Sequence, residues 1–162
     1  MPINQQLENC PNKQLEKLRI TLPKPIVPVA NYMPFTISGN QIFISGQLPI
    51  ENGEVKFVGK LGEKISIEDG QKAARICAIN ILSNLNSALE GNLGKVARCV
   101  KLGIFVNSTS DFTDQPAVAN GASDLMVEVF GENGKHSRFA MGAASLPRGV
   151  AVEVDAIFEI NN

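Results

Sequence analysis

The class of fold is decided by residues 137–160, which read SRFAMGAASLPRGVAVEVDAIFEI. Apolar residues alternate with a period of two through residues 150–160, which is typical of a strand buried on one face. The opposite face of that strand carries Glu153, Asp155 and Glu159. Residues 137–145 form a second strand pattern, and residues 146–149 between them predict a turn. We expect these two strands to pair as a hairpin.

Upstream, the sequence predicts a strand pair, a helix, a strand and a second helix. Gly39-Asn40 divides residues 35–45 into a hairpin with a two-residue turn. Ser66 with Asp69 forms a capping box that opens a helix over residues 67–89. Residues 96–107 predict a strand with one apolar face, formed by Val100, Leu102, Ile104 and Val106. After it, Asp114 and Pro116 mark the start of the second helix. The simplest architecture is α+β: a mostly antiparallel sheet with both helices packed on one face.

The first 28 residues differ in composition from the rest of the chain. Residues 1–20 are polar and predict at most a short amphipathic helix over 12–19. A run of prolines at positions 23, 25 and 28 then favours extended backbone. We therefore interpret residues 1–28 as an N-terminal extension with a proline-rich lead-in, and residues 29–162 as one domain.

Composition limits the classes of partner. The net charge of −1 lacks the basic balance that phosphate neutralisation favours, so nucleic acid is not the expected partner. Three widely spaced cysteines fit reduced core thiols. The sequence shows neither a secretory signal pattern nor an apolar run of ~20 residues, so we expect a cytoplasmic protein without a membrane span.

Arg138 is the most informative polar residue. It shares one side of its strand with Ala140, Gly142 and Ala144, and such small neighbours leave a hollow beside the guanidinium. A planar fork of donors beside a hollow suits the carboxylate of a small metabolite. The alternative is an arginine exposed at a strand end.

Four further positions are candidates on weaker grounds. In the expected hairpin Glu153 falls opposite Gly142, ~14 Å along the strands from Arg138, so the two would not meet within one subunit unless a bulge shifts the register, but could meet across a subunit interface. Otherwise Glu153 is a solvated carboxylate. Tyr32 could orient a ligand or merely pack at a strand entrance. Gly46 permits close approach of a ligand or a tight turn, and Asn120 and Ser123 flank Gly121 as polar ligands or helix caps.

No motif for a metal or cofactor is visible. His136 is the sole histidine, and no cluster of cysteine, histidine and carboxylate has metal-ligand spacing. No glycine-rich phosphate loop is present. Nothing in the spacing pairs His136 with a serine or cysteine nucleophile.

Several of these positions occur together in one known family. Tyr32 precedes Ser38-Gly39-Asn40, residues 44–49 read ISGQLP, and Arg138, Leu146-Pro147 and Glu153 follow in order. Over about residues 29–160 the sequence resembles the Rid (YjgF-like) family of reactive imine and enamine deaminases, and is most similar to a subgroup with an N-terminal extension. The resemblance implies a chorismate-mutase-like fold and a homotrimer with ligand sites at the subunit interfaces.

The resemblance also implies roles for individual residues. Arg138 would bind a carboxylate, Glu153 would act as acid/base or position a water, Tyr32 would orient the ligand and Gly46 would contact it through the backbone. The implied reaction is hydrolysis of a 2-imino acid to a 2-keto acid and ammonia, without metal or cofactor. Ala140 replaces a cysteine common in the family, which leaves substrate preference open. The alternative is a trimeric protein that binds a keto or amino acid without turnover.

Overall fold

The computed structural model describes residues 10–25 and 31–161. Within these ranges the chain forms three α-helices, α1 (Pro11–Lys17), α2 (Ile67–Ala88) and α3 (Gln115–Phe130). The strands are β1 (Phe35–Ser38), β2 (Gln41–Gln47), β3 (Ile50–Glu51), β4 (Glu54–Val55), β5 (Val96–Asn107), β6 (Ser137–Ala143) and β7 (Val152–Ile160). None of these helices is long and apolar enough to cross a membrane.

Five strands form the main sheet, in the order β1-β2-β7-β5-β6. All neighbours are antiparallel except β5 and β6, which run parallel. The short strands β3 and β4 pair only with each other. The sheet is therefore mixed but mostly antiparallel, and the α+β class predicted from the sequence is confirmed.

The predicted hairpin of the last two strands is wrong. β5 lies between β6 and β7, so that Phe105 pairs with Met141 on one side and with Glu153 on the other. After β6 the chain leaves the sheet, and Ala151 donates its backbone N–H to the Phe57 carbonyl at 2.8 Å before β7 begins. This path gives β7 two antiparallel partners, β2 and β5, and places it inside the sheet.

The two long helices begin where the sequence predicts. The Ser66 hydroxyl accepts a hydrogen bond from the Asp69 N–H at 3.1 Å and caps α2. Pro116 lies in the first turn of α3, where a missing N–H costs nothing. The two helices pack on each other and on the buried face of the sheet, and the core is formed largely by their apolar stripes and by residues of β2, β5 and β7.

β5 differs from its simple alternating pattern. Its register with β7 shifts between Val96 and Arg98 and again between Cys99 and Lys101. A bulge inserts an extra residue and so exchanges the two faces of the strand beyond it. As a result Cys99, only 1% exposed, joins Leu102 in the core, whereas Val100 was predicted to share the face of Leu102 and is only half-buried.

The N-terminal segment contributes to the core. The short helix predicted over residues 12–19 forms as α1, and its Leu15 is 6% exposed within the core cluster. Residues 28 and 29, between which the predicted domain boundary falls, lie outside the described residues. Farther along the chain, Glu54–Val55 forms the short strand β4, and Val58 makes an isolated bridge to Val150.

The face of the sheet opposite the helices carries a mixture of apolar and acidic side chains, and we call it the open face. It presents Phe43, Phe105, Met141, Glu153 and Asp155, as the strand register shows. Phe43 and Met141 are 37% and 49% exposed. A sheet face with exposed phenylalanine and methionine suits contact with another protein surface.

Candidate functional site

Arg138 lies near the start of the edge strand β6 and points towards α3. Its strand neighbour is Leu102, a fully buried core residue, so both side chains lie on the helix side of the sheet. Arg138 Nη1 donates to Asn120 Oδ1 and to Ser123 Oγ, both at 2.9 Å. Arg138 Nη2 donates to the Pro116 carbonyl at 3.2 Å. The first two turns of α3 thus fix the plane of the guanidinium.

These contacts occupy part of the hydrogen-bonding capacity of Arg138. A guanidinium carries five N–H donors. Three are used by Asn120, Ser123 and Pro116, and within residues 10–25 and 31–161 the Nε–H and one Nη2–H find no acceptor. Two donors on adjacent nitrogens of a fixed planar group can bind a carboxylate with two parallel hydrogen bonds.

Asn120 and Ser123, candidates from the sequence for ligand contacts or helix caps, both accept hydrogen bonds from Arg138. Gly121 lies between them because α3 meets α2 there. A Cβ on Gly121 would overlap the backbone carbonyl of Gln71 and approach the Gln71 Cα to 2.8 Å. The glycine allows the close packing that sets the height of Asn120 and Ser123 relative to the sheet.

His136 also belongs to this group, although nothing in the sequence paired it with a serine. Its Nε2 lies 2.9 Å from Ser123 Oγ, and its Nδ1 lies 2.6 Å from the Gly134 carbonyl. Burial lowers the pKa of His136, and the positive charge of Arg138 adds to this effect. We call Asn120, Ser123, His136 and Arg138 the edge cluster.

Glu153 lies on the open face, away from the edge cluster. Its pairing partner on the adjacent strand β5 is Phe105. Burial raises the pKa of Glu153, and the negative charge of Asp155 raises it further. No hydrogen bond or ion pair joins its carboxylate to any other residue in the described part of the chain. A carboxylate with a raised pKa and free acceptors can take up a proton and return it.

Gly46 is in contact with Glu153. The register between β2 and β7 shifts between Ile44 and Gln47, which brings Gly46 over the carboxylate, and a Cβ at Gly46 would collide with Glu153 Oε1. The segment before β1 is fastened to the same part of β2, because Ser45 Oγ donates to the Met33 carbonyl at 2.6 Å. Tyr32, the residue before Met33, is 56% exposed.

The candidate residues therefore fall into two groups on opposite sides of one sheet. The edge cluster offers a guanidinium fork, and Gly46 with Glu153 offers a carboxylate beside bare backbone. The Pro116 carbonyl and His136 are contacts of the edge cluster that sequence reasoning did not identify. Among the residues that the structure describes, no three His, Cys, Asp or Glu side chains are close enough to hold a metal ion.

A mixed sheet with two helices on one face and a fixed arginine at its edge defines an α+β domain of the chorismate-mutase-like class. A family model described as "YjgF/chorismate_mutase-like, putative endoribonuclease" matches residues 13–158. The chain therefore belongs to the YjgF/RutC-like family.

Two relatives cover nearly the whole chain. Protein TCP17 of Trypanosoma cruzi is 49% identical over 149 residues, which are 91% of this chain and 92% of that protein. The crystal structure of protein Atu1372 from Agrobacterium tumefaciens, described as of unknown function, is 45% identical, covers 97% of this chain and 96% of its own, and superposes with a TM-score of 0.89.

More distant relatives carry names that state an activity or a family. A 2-iminobutanoate/2-iminopropanoate deaminase of Dermatophagoides farinae is 26% identical over 143 residues, which are 87% of this chain and 94% of the deaminase. RidA from an Antarctic Psychrobacter is 25% identical, covers 86% of this chain and 96% of its own, and has a TM-score of 0.58. The backbone thus resembles the Agrobacterium protein more closely than it resembles this RidA.

Proposed function

We propose that this protein is a deaminase that hydrolyses reactive 2-imino acids to 2-keto acids and ammonia, at sites shared between the subunits of a homotrimer. The observation that carries the proposal is the guanidinium of Arg138, which α3 holds in place while two of its donors stay without an acceptor in the described residues. The deaminase of Dermatophagoides farinae, a relative over 87% of the chain, supports the choice of reaction.

In this proposal Arg138 binds the substrate carboxylate through its Nε–H and Nη2–H. The bidentate contact fixes both the position and the orientation of the imine carbon two bonds away. The small side chains of Ala140 and Gly142 on the same side of β6 leave room for the rest of the substrate.

Glu153 acts as the acid/base group. Its carboxylate accepts a proton from a water molecule as the water oxygen bonds to the carbon of the protonated imine, and the C=N electron pair moves to the nitrogen, which gives a neutral carbinolamine. Glu153 then gives that proton to the nitrogen. As the carbon–nitrogen bond breaks and ammonia leaves with the bonding pair, the carbinolamine hydroxyl passes its proton to the Glu153 carboxylate and becomes the keto carbonyl, and Glu153 releases this proton to solvent. The raised pKa of Glu153 supports both directions of transfer, because a base with a pKa nearer the working pH also releases its proton readily.

The trimer brings the two groups together. Arg138 and Glu153 of one chain lie on opposite sides of the sheet, so a shared site would combine Arg138 with Glu153 of the partner subunit. The exposed side chains of Phe43 and Met141 support an interface on the open face. A net charge of −1 gives little support to RNA as the substrate.

The test follows the loss of 2-iminopropanoate, generated in the assay by an amino-acid oxidase acting on alanine. Wild type should accelerate the loss well above buffer, and Arg138→Ala and Glu153→Gln should each remove most of that acceleration. Arg98→Ala and Glu54→Gln are the matched controls, since both residues are exposed and lie outside the two groups.

Equal rates with wild type and with buffer would refute the deaminase. If wild type, but not Arg138→Ala, still bound 2-oxobutanoate in a titration calorimeter, that result would establish a binding protein without turnover. Sedimentation equilibrium tests the assembly separately, and a monomer at micromolar concentration would exclude the shared site.

A further inference from the structure

We infer that His136 is a positioning residue: through the hydroxyl of Ser123 it holds the guanidinium of Arg138 in the orientation that presents its free donors to a carboxylate. The inference builds on the proposed role of Arg138, but it concerns the geometry of the free protein and can be tested without turnover. It rests on three hydrogen bonds that join a turn, a helix and a strand.

The donor and the acceptor of each of these three hydrogen bonds follow from the chemistry of the groups. An arginine can only donate, so Ser123 Oγ accepts from Arg138 Nη1 at 2.9 Å. The Gly134 carbonyl can only accept, so His136 Nδ1, 2.6 Å away, carries the ring proton. A neutral imidazole then has a lone pair on Nε2, and Ser123 donates its own proton to that lone pair at 2.9 Å.

Burial and the positive charge of Arg138 lower the pKa of His136 and outweigh the hydrogen bond to the Gly134 carbonyl, which raises it, so the neutral ring is favoured. The neutral ring is the form that accepts from Ser123. The His136 tautomer with its proton on Nδ1 therefore sets the orientation of the Ser123 hydroxyl, and in that orientation the hydroxyl oxygen offers a lone pair to Arg138.

Gly134, the last group in this series of hydrogen bonds, is packed against α3, the same helix that carries Ser123. Gly134 is buried, and a Cβ there would overlap the Met126 carbonyl and come within 2.8 Å of Val127 Cα. The turn Gly131–Gly134 is thus pressed against α3 without room for a side chain. His136 is held by backbone that cannot move relative to Ser123 without breaking this contact.

Without His136 the serine has another use for its proton. A serine inside a helix can rotate and donate to the carbonyl four residues earlier, here Ala119. In that rotamer its lone pairs turn away from Arg138, and Nη1 keeps only Asn120 as a side-chain partner. The guanidinium then gains freedom to rotate, and ordering it again costs free energy when a carboxylate binds.

A double-mutant cycle isolates the route through Ser123. The probe is 2-oxobutanoate, and its dissociation constant is measured by calorimetry for wild type, His136→Ala, Ser123→Ala and the double variant. We expect each single change to weaken binding about five- to tenfold and the double variant to bind no more weakly than Ser123→Ala. His136→Gln, whose amide oxygen can accept from Ser123, should bind within about twofold of wild type.

Lys135→Ala is the matched control, because Lys135 is the exposed neighbour of His136 and forms an ion pair with Glu132. It should bind like wild type. Effects of His136→Ala and Ser123→Ala that multiply in the double variant, or His136→Ala binding like wild type, would overturn the inference.

A spectroscopic measurement does not depend on any ligand. In nitrogen-resolved NMR spectra of the free protein at low temperature, a guanidinium held by several acceptors shows separate Nη signals. We expect one such set in wild type and in His136→Gln, and its loss in Arg138→Lys, His136→Ala and Ser123→Ala. Persistence of the set in His136→Ala overturns the inference. A normal set in wild type, together with loss of 2-iminopropanoate no faster than in buffer, would instead refute the proposed function and leave the positioning role standing.

Discussion

Arg138 and Glu153 lie on opposite sides of the same sheet, one on each flank of β5. Arg138 is paired with Leu102 in the core, and Glu153 is paired with Phe105 on the open face. Three residues along β5 and two strand spacings separate their backbones by roughly 14 Å. Folding of one chain cannot bring the guanidinium and the carboxylate to a single small ligand.

This geometry predicts complementation between two inactive variants. Arg138→Ala and Glu153→Gln are each expected to be inactive. When the two are unfolded together, mixed in equal amounts and refolded, random assembly should place an intact Arg138 next to an intact Glu153 in about a quarter of the intersubunit sites. We expect that fraction of wild-type activity per chain, measured as loss of 2-iminopropanoate.

The control mixes Arg138→Ala with the double variant Arg138→Ala/Glu153→Gln, which has no intact arginine and should stay inactive. No recovery in the first mixture, despite mixed trimers seen by native mass spectrometry, would mean that each site uses one chain only.

The raised pKa of Glu153 predicts the acid limb of the pH–rate profile. The carboxylate form takes the proton from water, so activity is lost as the pH falls through the pKa of Glu153, which lies above its ordinary value of 4.5. Asp155→Asn removes the like charge that contributes to this shift, so the limb should move to lower pH. The measurement is kcat/KM against pH for wild type and Asp155→Asn.

Ionic strength provides the control for that comparison. Asp155 is exposed, so 1 M salt, with a Debye length of about 3 Å, should narrow the difference between the two profiles. Asp111→Asn, on a loop outside both groups, should leave the profile unchanged. A limb that stays in place in Asp155→Asn would argue that another group is titrating.

The helices and most strands could be predicted from the sequence because their signals are local. The Ser66 cap, the Gly39-Asn40 turn and the period of two in β7 each depend on residues close in the chain. The order of the strands is not local. Residues 146–151 connect β6 to β7, and their path decides whether these two strands pair directly or β5 lies between them. The turn-forming residues in this connection predict a change of direction but not that path.

The same distinction applies to the site. The small residues beside Arg138 indicate a hollow, and that pattern can be read along one strand. The pairing of Ser123 with His136 joins a helix face to a turn thirteen positions later, and no spacing rule predicts it. The bulge that brings Gly46 to Glu153 is likewise a property of two strands far apart in sequence.

Gly46→Ala should impair function more than stability. The added methyl group would collide with Glu153 Oε1, which is the end of a flexible side chain, so the carboxylate can move aside at small cost to the fold. We expect kcat for 2-iminopropanoate to fall at least tenfold while the midpoint of thermal unfolding changes by only a few degrees. Gly39→Ala is the comparison, because its Cβ meets no atom of the described residues within 4 Å but its φ of +60° strains the turn. It should lower the midpoint and retain kcat, and a reversed outcome would contradict the placement of Glu153.

Gly121→Ala should strongly destabilise the fold. Here the new methyl group meets backbone, since the carbonyl and Cα of Gln71 lie where the Cβ must go, and neither α2 nor α3 can yield locally. Overpacking between two helices typically costs about 1–3 kcal/mol or more, which for a domain of this size lowers the unfolding midpoint by roughly 2–4 °C per kcal/mol. Gly91→Ala serves as control, because no atom of residues 10–25 or 31–161 lies within 4 Å of its Cβ, while its φ of +88° opposes the change. Differential scanning calorimetry should therefore show a larger drop in the unfolding midpoint for Gly121→Ala than for Gly91→Ala. Because Asn120 and Ser123 move with α3, the affinity for 2-oxobutanoate should weaken in Gly121→Ala and stay unchanged in Gly91→Ala. Equal unfolding midpoints in the two variants would mean that the helices separate without cost and that the height of α3 does not fix Arg138.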